Sequence, residues 1–249
     1  MILTNVIQLA RTYLQTDSNG LLDADAIQLA NEALLSDTTE LIRRGINAAQ
    51  VMEAYMNATA GVGIYSFPDG VTSTTWTLAS WSGSGTPPEL FMVKTMNVNY
   101  QDTTQNNYIE VQIMDSGNLP LGQSYQWLRA NQTDTNPLLD NRGATFEIFP
   151  APVAGQNLTS FFYMLYFVAP TQYVNDSSTI AYPFNLNPNV LASRIAWLHA
   201  SRGDEESMGR AASYGRIHDT EMDKLENILK KGTQKSTSPQ GIPLTGFEF

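Results

Sequence analysis

The most extended hydrophobic pattern of the chain lies in residues 187–231. Apolar residues recur there at helical spacing on one side, with a weak point at 202–204. The stripe consists of Val190, Leu191, Ile195, Leu198, Met208, Ala211, Ala212, Gly215, Met222, Leu225, Ile228 and Leu229. The pattern predicts one long helix or two shorter ones broken near 202–204.

Both ends of this region carry residues typical of helix termini. Asn187 is a candidate N-cap, and Pro188 suits the first helical position because its missing N–H is not needed there. Gly232 follows two lysines, which favour the negative end of a helix. We therefore expect the helical region to stop at Gly232.

The N-terminal 50 residues predict a pair of helices. Residues 2–15 form a short amphipathic pattern that the polar turn at 17–20 interrupts. Asp23 is a candidate N-cap of a second helix, which runs to about Arg44 and ends at Gly45.

Near residue 51 the period changes from helical to alternating, which predicts strands. Residues 51–58 and 64–68 predict a hairpin around a glycine-containing turn, and residues 91–100 and 108–114 predict a second antiparallel pair. Further strands are expected at 144–150, where Pro150 stops the pattern, and at 157–169. The last of these is the most apolar and is expected to be central.

Two stretches of this region lack a regular pattern. Residues 69–88 are rich in Ser, Thr, Gly and Pro, and residues 115–141 predict loops with a short helix near 124–129. The first stretch carries Trp76 and Trp81, which either pack within a loop or form a contact patch with a neighbouring subunit.

The order of elements predicts an α+β fold in which terminal helices form one bundle and an antiparallel sheet domain is inserted between them. The expected domains are residues 1–50 with 184–231, the inserted residues 51–183, and an extended C-terminal arm at 232–249. The arm contains glycines and prolines that prevent a helix, yet it carries Ile242, Leu244, Phe247 and Phe249. It is either a disordered terminus or a segment that orders on a partner.

Composition narrows the classes of function. The net charge is −10, and residues 51–187 hold ten acids against three bases, so a nucleic-acid reader with a basic stripe is not expected. The absence of cysteine removes disulfides and thiolate chemistry, and fits a reducing compartment. No apolar run approaches the roughly 20 residues of a membrane span, and no secretory signal pattern is expected at the N-terminus.

The sequence offers no catalytic or metal-binding motif. His199 and His218 are the only histidines, and neither has an acidic partner at a metal-ligand spacing. The acid pairs, such as Glu205 with Glu206, occur in capping or exposed helical contexts. We therefore expect no enzyme activity, no cofactor and no metal.

Four stretches together resemble a known family. These are LLDADAIQLANEALL at 21–35, IYSFPDG at 64–70, ATFEIFPAPVAGQNLTSFFYMLYFVAP at 144–170 and FNLNPNVLASRIAWLHASR at 184–202. In this order they resemble the head–tail adaptor (connector) proteins of tailed bacteriophages, in the larger form with a β domain inserted into a helical bundle. The Ser/Thr-rich stretch at 69–88 is longer than in that pattern, so its role stays open.

The resemblance implies a structural virion protein at the head–tail junction, assembled in the host cytoplasm. It implies a ring of about twelve copies that joins the portal to the downstream tail, nozzle or terminator protein. The ring would line the exit channel, through which double-stranded DNA passes without specific binding. It also implies that the C-terminal segment, with Ile242, Leu244, Phe247 and Phe249, contacts the portal.

Other classes of protein fit parts of the sequence. A tail terminator or a fibre-attachment protein explains the composition equally well, whereas helices at both chain ends favour the adaptor. A carbohydrate-binding β module would explain exposed tryptophans, but it predicts a signal peptide and no terminal helices.

Overall fold

A computed structural model describes residues 1–70, 76–79, 87–100, 107–115, 131–203 and 205–236. The chain divides into two compact units, which are described separately below. The helical unit consists of Met1–Ala48 together with Pro170–Phe249, and the β unit consists of Ala49–Ala169. The fold class is α+β, as the order of sequence patterns predicts.

Four α-helices and a short 3-10 turn are described in the helical unit. The helices are α1 (Leu3–Leu14), α2 (Asp23–Arg43), α3 (Asn189–Ser201) and α4 (Glu205–Ser236), and the 3-10 turn is Phe184–Leu186. The predicted break at 202–204 is confirmed, because α3 and α4 are separate helices on either side of it.

All four helices contribute apolar side chains to one core. On α4 the buried positions recur every three or four residues, which places them on a single face of the helix. They are Ala211, Gly215, His218, Met222, Leu225 and Leu229. The core members from the other helices include Leu3, Val6, Ile7, Leu29, Leu34, Leu41, Val190, Leu191 and Ile195.

The chain segment before the 3-10 turn belongs to the helical unit. The backbone N–H of Leu3 donates to the carbonyl of Ser178, and the N–H of Ile180 donates to the carbonyl of Met1. Asn31 of α2 binds the backbone of Tyr173 twice, with its amide donating at 3.0 Å and its oxygen accepting at 2.7 Å. The boundary between the units therefore lies at residue 170, earlier than the expected boundary after residue 183.

The expected helix caps are corrected by the structure. Helix α2 begins at Asp23 itself, whose carboxylate accepts a hydrogen bond from Arg11 at 2.7 Å instead of capping the helix. Asn187 lies before the start of α3, and its amide donates to the carbonyl and the carboxylate of Glu221 on α4. Both side chains are thus used in tertiary contacts.

The predicted stop at Gly232 is wrong, because α4 continues to Ser236. A glycine inside a helix costs about 1 kcal/mol relative to alanine, which is too little to end a helix of 32 residues by itself.

The β unit contains two sheets. The strands are β1 (Val51–Met56), β2 (Ile64–Ser66), β3 (Trp76–Leu78), β4 (Leu90–Val98), β5 (Ile109–Glu110), β6 (Gln112–Asp115), β7 (Leu138–Asn141), β8 (Thr145–Phe149) and β9 (Phe162–Val168). The first sheet has the order β3-β1-β9-β4-β5 and is antiparallel, with the predicted central strand β9 in its middle. The second has the order β2-β8-β7-β6, and its β6–β7 pair is parallel.

The two predicted hairpins are corrected by this topology. Strands β1 and β2 belong to different sheets, because β1 pairs with β3 and β9 while β2 pairs with β8. The second predicted pair is formed only where Asn97 and Val98 of β4 face β5, after which the chain enters the other sheet as β6. Strand β7 lies in a region predicted to be loop, and the expected short helix near 124–129 lies outside the described residues.

The two sheets share one apolar core. Inward side chains of β1, β4 and β9 meet those of β7 and β8, including Met52, Ala54, Met96, Leu139, Phe146, Ile148, Phe162, Met164 and Tyr166. The rings of Phe146 and Phe162 meet edge to face with centroids 5.3 Å apart. The alternation that predicted these strands therefore marks the faces that the sheets bury against each other.

Candidate functional site

Of the six residues that the sequence predicts to contact partners, the structure describes only Trp76. Ile242, Leu244, Phe247, Phe249 and Trp81 lie outside the described residues.

Trp76 lies on β3, is 3% exposed, and donates its indole N–H to the carbonyl of Ser66 at 2.8 Å. Its ring packs near Phe146 and Phe162, so Trp76 is a core residue of the β unit rather than a surface residue.

The helical unit contains a polar cleft of about 320 Å³ between α2, α3 and α4. We use the term polar cleft for the space lined by Ser36, Asp37, Thr39, Glu40, Arg43, Arg44, Arg194, Trp197, His218, Asp219 and Met222. Three of its charged or titratable side chains, Asp37, Arg194 and His218, are largely buried.

Asp37, Arg194 and His218 form the inner part of the polar cleft. The Nε2 atom of His218 lies 3.2 Å from Oδ1 of Asp37, and the Nε atom of Arg194 lies 3.7 Å from the same oxygen. The side chains of Asp37 and His218 are only 2% and 6% exposed. One carboxylate oxygen thus faces two basic groups from two other helices.

Several polar atoms here have no hydrogen-bond partner. They are Oδ2 of Asp37, Oγ1 of Thr38, Nε of Arg194 and both ring nitrogens of His218, whose approach to Asp37 is close but not aligned as a hydrogen bond. Burial raises the pKa of Asp37 and outweighs the opposing attraction of His218 and Arg194. A buried polar atom without a partner is costly, so these atoms mark a place that a water molecule or a ligand group can fill.

Trp197 holds the guanidinium of Arg194 in place. The guanidinium lies over the indole ring at 4.2 Å from its centroid, and its terminal nitrogen donates to Oγ of Ser36 at 2.8 Å. The other side of the indole contacts α4, where the absence of a side chain at Gly215 leaves room for it.

The rim of the polar cleft is formed by charged residues of α2 and α4. Arg44 binds three carboxylates, at 2.9 Å to Glu40, 3.1 Å to Asp223 and 2.9 Å to Glu226. These contacts raise the pKa of Arg44, with the hydrogen bond to Glu40 as the largest cause. Arg43 is exposed, and within the described part of the chain it makes no ion pair.

Sequence reasoning did not single out this cleft, although two signals were present. Asp37 interrupts the buried face of α2 between Leu34 and Leu41, and His218 interrupts the buried face of α4 between Gly215 and Met222. A charged or titratable residue at a core position usually needs a partner from another element. His218 is buried, and the sequence pattern did not identify Asp37 as the residue it faces.

A second polar cluster lies in the β unit. The hydroxyl of Tyr163 donates to Glu53, and the rings of Tyr55 and Tyr108 lie 5.1 Å and 5.6 Å from that of Tyr163. Burial, and then the adjacent Glu53, raise the pKa of Tyr163. The three rings pack against each other at tilted angles of 35–52°, so the cluster is a packing contact of half-buried side chains.

The described residues form neither a metal site nor a membrane span. Across the described ranges, no group of three or more His, Asp or Glu side chains is arranged to hold a metal ion. None of the described helices combines the length and the apolar character that a membrane span needs. The chemistry available in the polar cleft is that of guanidinium, imidazole and carboxyl groups, which can bind an oxyanion or hold a proton.

Comparison with known proteins identifies a family for this chain. A family model described as SU10 adaptor protein matches residues 1–243, which include the whole β unit and all four described helices. No curated protein matches the chain.

Proposed function

The chain belongs to the SU10 adaptor protein family, and from this membership we propose that it forms a closed ring between the portal of a bacteriophage head and the tail. The family is one of structural bacteriophage adaptors, so the protein is a virion component. The observation that carries the proposal is the extent of the family match, which includes both units instead of one isolated domain.

The proposed ring contains about twelve copies at the head–tail junction and assembles in the host cytoplasm on the portal. Identical head-to-tail contacts between subunits must close into a ring or continue as a filament, and a ring provides a passage along its axis. The β unit holds nine acidic and three basic residues. Glu53, Asp140 and Glu147 are buried, but the unit as a whole stays acidic. This excess of negative charge repels phosphate and supports a role in a channel wall that DNA passes without specific binding.

The C-terminal arm is proposed to bind the portal. Because α4 extends to Ser236, the arm begins at residue 237, five residues later than the sequence pattern suggests. Ile242, Leu244, Phe247 and Phe249 give it apolar side chains, each worth about 1.5–3 kcal/mol if a partner buries it. Repetition around a ring multiplies such contacts into strong avidity.

The proposal is tested by assembly on portal-bearing heads in vitro. Intact protein, a variant that lacks residues 237–249, and a Phe247→Ala/Phe249→Ala variant are mixed with purified heads, and bound protein is measured after sedimentation. Intact protein is expected to bind in a fixed ratio, and both variants are expected to bind weakly. A failure of intact protein to bind would refute the adaptor role, and full binding by both variants would refute the role of the arm.

The helix content of the shortened protein shows whether the truncation disturbs the fold of the helical unit. Circular dichroism of the shortened protein is expected to show the helix content of intact protein, because the deletion leaves all of the described helix α4 in place. Loss of binding without loss of helix content then assigns the effect to the arm.

A further inference from the structure

We propose that the polar cleft between α2, α3 and α4 binds one carboxylate side chain of a neighbouring copy of this chain. This inference rests on the proposed ring. It identifies the ligand of the cleft as a side chain of the next subunit, and therefore identifies one contact between subunits of the ring. The geometry behind it is the convergence of Arg43, Arg194 and His218 on a space of about 320 Å³.

The inner polar groups of the cleft are held in place without an aligned hydrogen bond. Nε of Arg194 and the ring nitrogens of His218 are buried and lie 3.2–3.7 Å from carboxylate oxygens of Asp37 and Asp219, but none of these contacts is aligned as a hydrogen bond. The guanidinium of Arg194 is fixed between Trp197 and Ser36. A donor that is held in place before binding loses little conformational freedom when a carboxylate arrives. Carboxylates are also the anions that the planar guanidinium matches best among protein side chains.

The outer donor is Arg43. Its neighbour Arg44 is bound to three acids, whereas Arg43 has no ion pair in the described part of the chain and lies on the same wall of the cleft. An entering carboxylate can therefore be approached by Arg43 at the mouth and by Arg194 further inside.

The charges around the cleft favour a single carboxylate over a nucleic-acid backbone. Glu40 and Asp219 line the same cleft, so a DNA strand with a continuous row of phosphates meets negative charge there. A single Asp or Glu side chain can enter between them. Every copy of the chain supplies such side chains, because its β unit holds nine acids against three bases and, although Glu53, Asp140 and Glu147 are buried, Glu110 and Asp134 are exposed. This complementarity commits the occupant to a second copy.

Acetate stands for the carboxylate group of an Asp or Glu side chain, and its binding to the polar cleft is measured by NMR of the histidine rings. The chain has two histidines, so ¹³C-labelled histidine gives one signal from the polar cleft, His218, and one reference signal, His199. Acetate is titrated at constant ionic strength with chloride as the replaced anion. We expect the His218 signal to move to saturation while the His199 signal stays constant.

The variants identify the donors. Arg43→Gln is expected to weaken acetate binding at least about threefold, and Arg43→Lys is expected to restore part of it. Arg216→Gln is the matched control, because Arg216 is also an exposed arginine of the helical unit and is not part of the cleft. Equal shifts of both histidine signals, or equal effects of Arg43→Gln and Arg216→Gln, would overturn the proposal. Tighter binding of inorganic phosphate than of acetate would also overturn it, in favour of a phosphate ligand.

Ring assembly by charge-reversed variants tests this inference separately from the proposed ring. Wild-type protein, Arg43→Glu and Arg216→Glu are assembled on portal-bearing heads, and the particles are viewed by electron microscopy. We expect rings with wild type and Arg216→Glu, and at least about tenfold fewer with Arg43→Glu. Absence of wild-type rings would refute the proposed function, whereas rings with all three proteins would refute only the inference.

Discussion

The contact between α3 and α4 yields a sharp prediction, because Gly215 faces the indole of Trp197. A Cβ atom added at Gly215 would lie 3.5, 3.7 and 3.8 Å from three indole atoms, which is ordinary van der Waals contact. Gly215→Ala therefore adds contact without strain and removes the helix penalty of glycine, about 1 kcal/mol. We expect a stabilisation of about 0.5–1 kcal/mol, or about 1–4 °C in Tm for a chain of this size.

A larger side chain at the same position has the opposite effect. The extra carbons of leucine have no space beside the indole, so Gly215→Leu must displace Trp197 and with it the stacked Arg194. Overpacking of this kind costs about 1–3 kcal/mol, which exceeds the gain in helix propensity.

Gly209 provides the matched control on the same helix. No atom lies within 4 Å of a Cβ built there, so both alanine and leucine should give only the gain in helix propensity. Thermal and urea unfolding, followed by circular dichroism at a helical wavelength, compares the four variants with wild type. If Gly215→Leu is as stable as Gly209→Leu, or if Gly215→Ala is less stable than wild type, the indole of Trp197 does not limit the space at Gly215 as predicted.

Two further predictions concern buried polar contacts of the helical unit. Burial raises the folded-state pKa of Asp37, so the stability of wild type falls as pH rises from the ordinary carboxyl pKa through the raised one. Asp37→Asn has no such proton to lose, so its stability relative to wild type should be higher at about pH 8 than at about pH 4. Urea unfolding of both proteins at the two pH values measures this, and a difference in free energy of unfolding that is the same at both values would contradict it. Asn31→Ala removes two hydrogen bonds to Tyr173 and should lower the free energy of unfolding by about 1–3 kcal/mol. Asn19→Ala at an exposed position should change it little, and equal effects of the two variants in a urea titration would contradict this prediction.

The hydrophobic period of the sequence predicted those helices and strands that bury one continuous face. The stripe on α4 and the apolar strand β9 were found because their side chains follow the helical and alternating periods over many residues. The break between α3 and α4 was visible for the same reason, since the stripe fails at 202–204.

Pairing of strands was not predictable in this way. The segments β1 and β2 are adjacent in sequence and joined by a glycine-containing turn, yet they belong to different sheets. Alternation shows that a segment has two faces, but it does not say which strand lies beside it. Strand β7 was missed because Leu138–Asn141 is short and ends in polar residues.

Local capping rules failed where a distant partner competed for the same side chain. Asp23 and Asn187 are good N-cap residues, but Arg11 and Glu221 bind their side chains instead. The polar cleft was missed for a related reason: Asp37, Arg194 and His218 come from three helices that are far apart in sequence. Each residue alone is an ordinary helix residue, and only packing brings them together.

The proposed closed ring between portal and tail can be seen directly in the virion. It calls for a cryo-EM reconstruction of the virion neck, calculated without imposed rotational symmetry. We expect a closed ring of about twelve copies, with the portal on one side and a tail component on the other. If this chain is found only in fibres away from the head–tail axis, or as separate copies that do not close, it does not form the proposed ring.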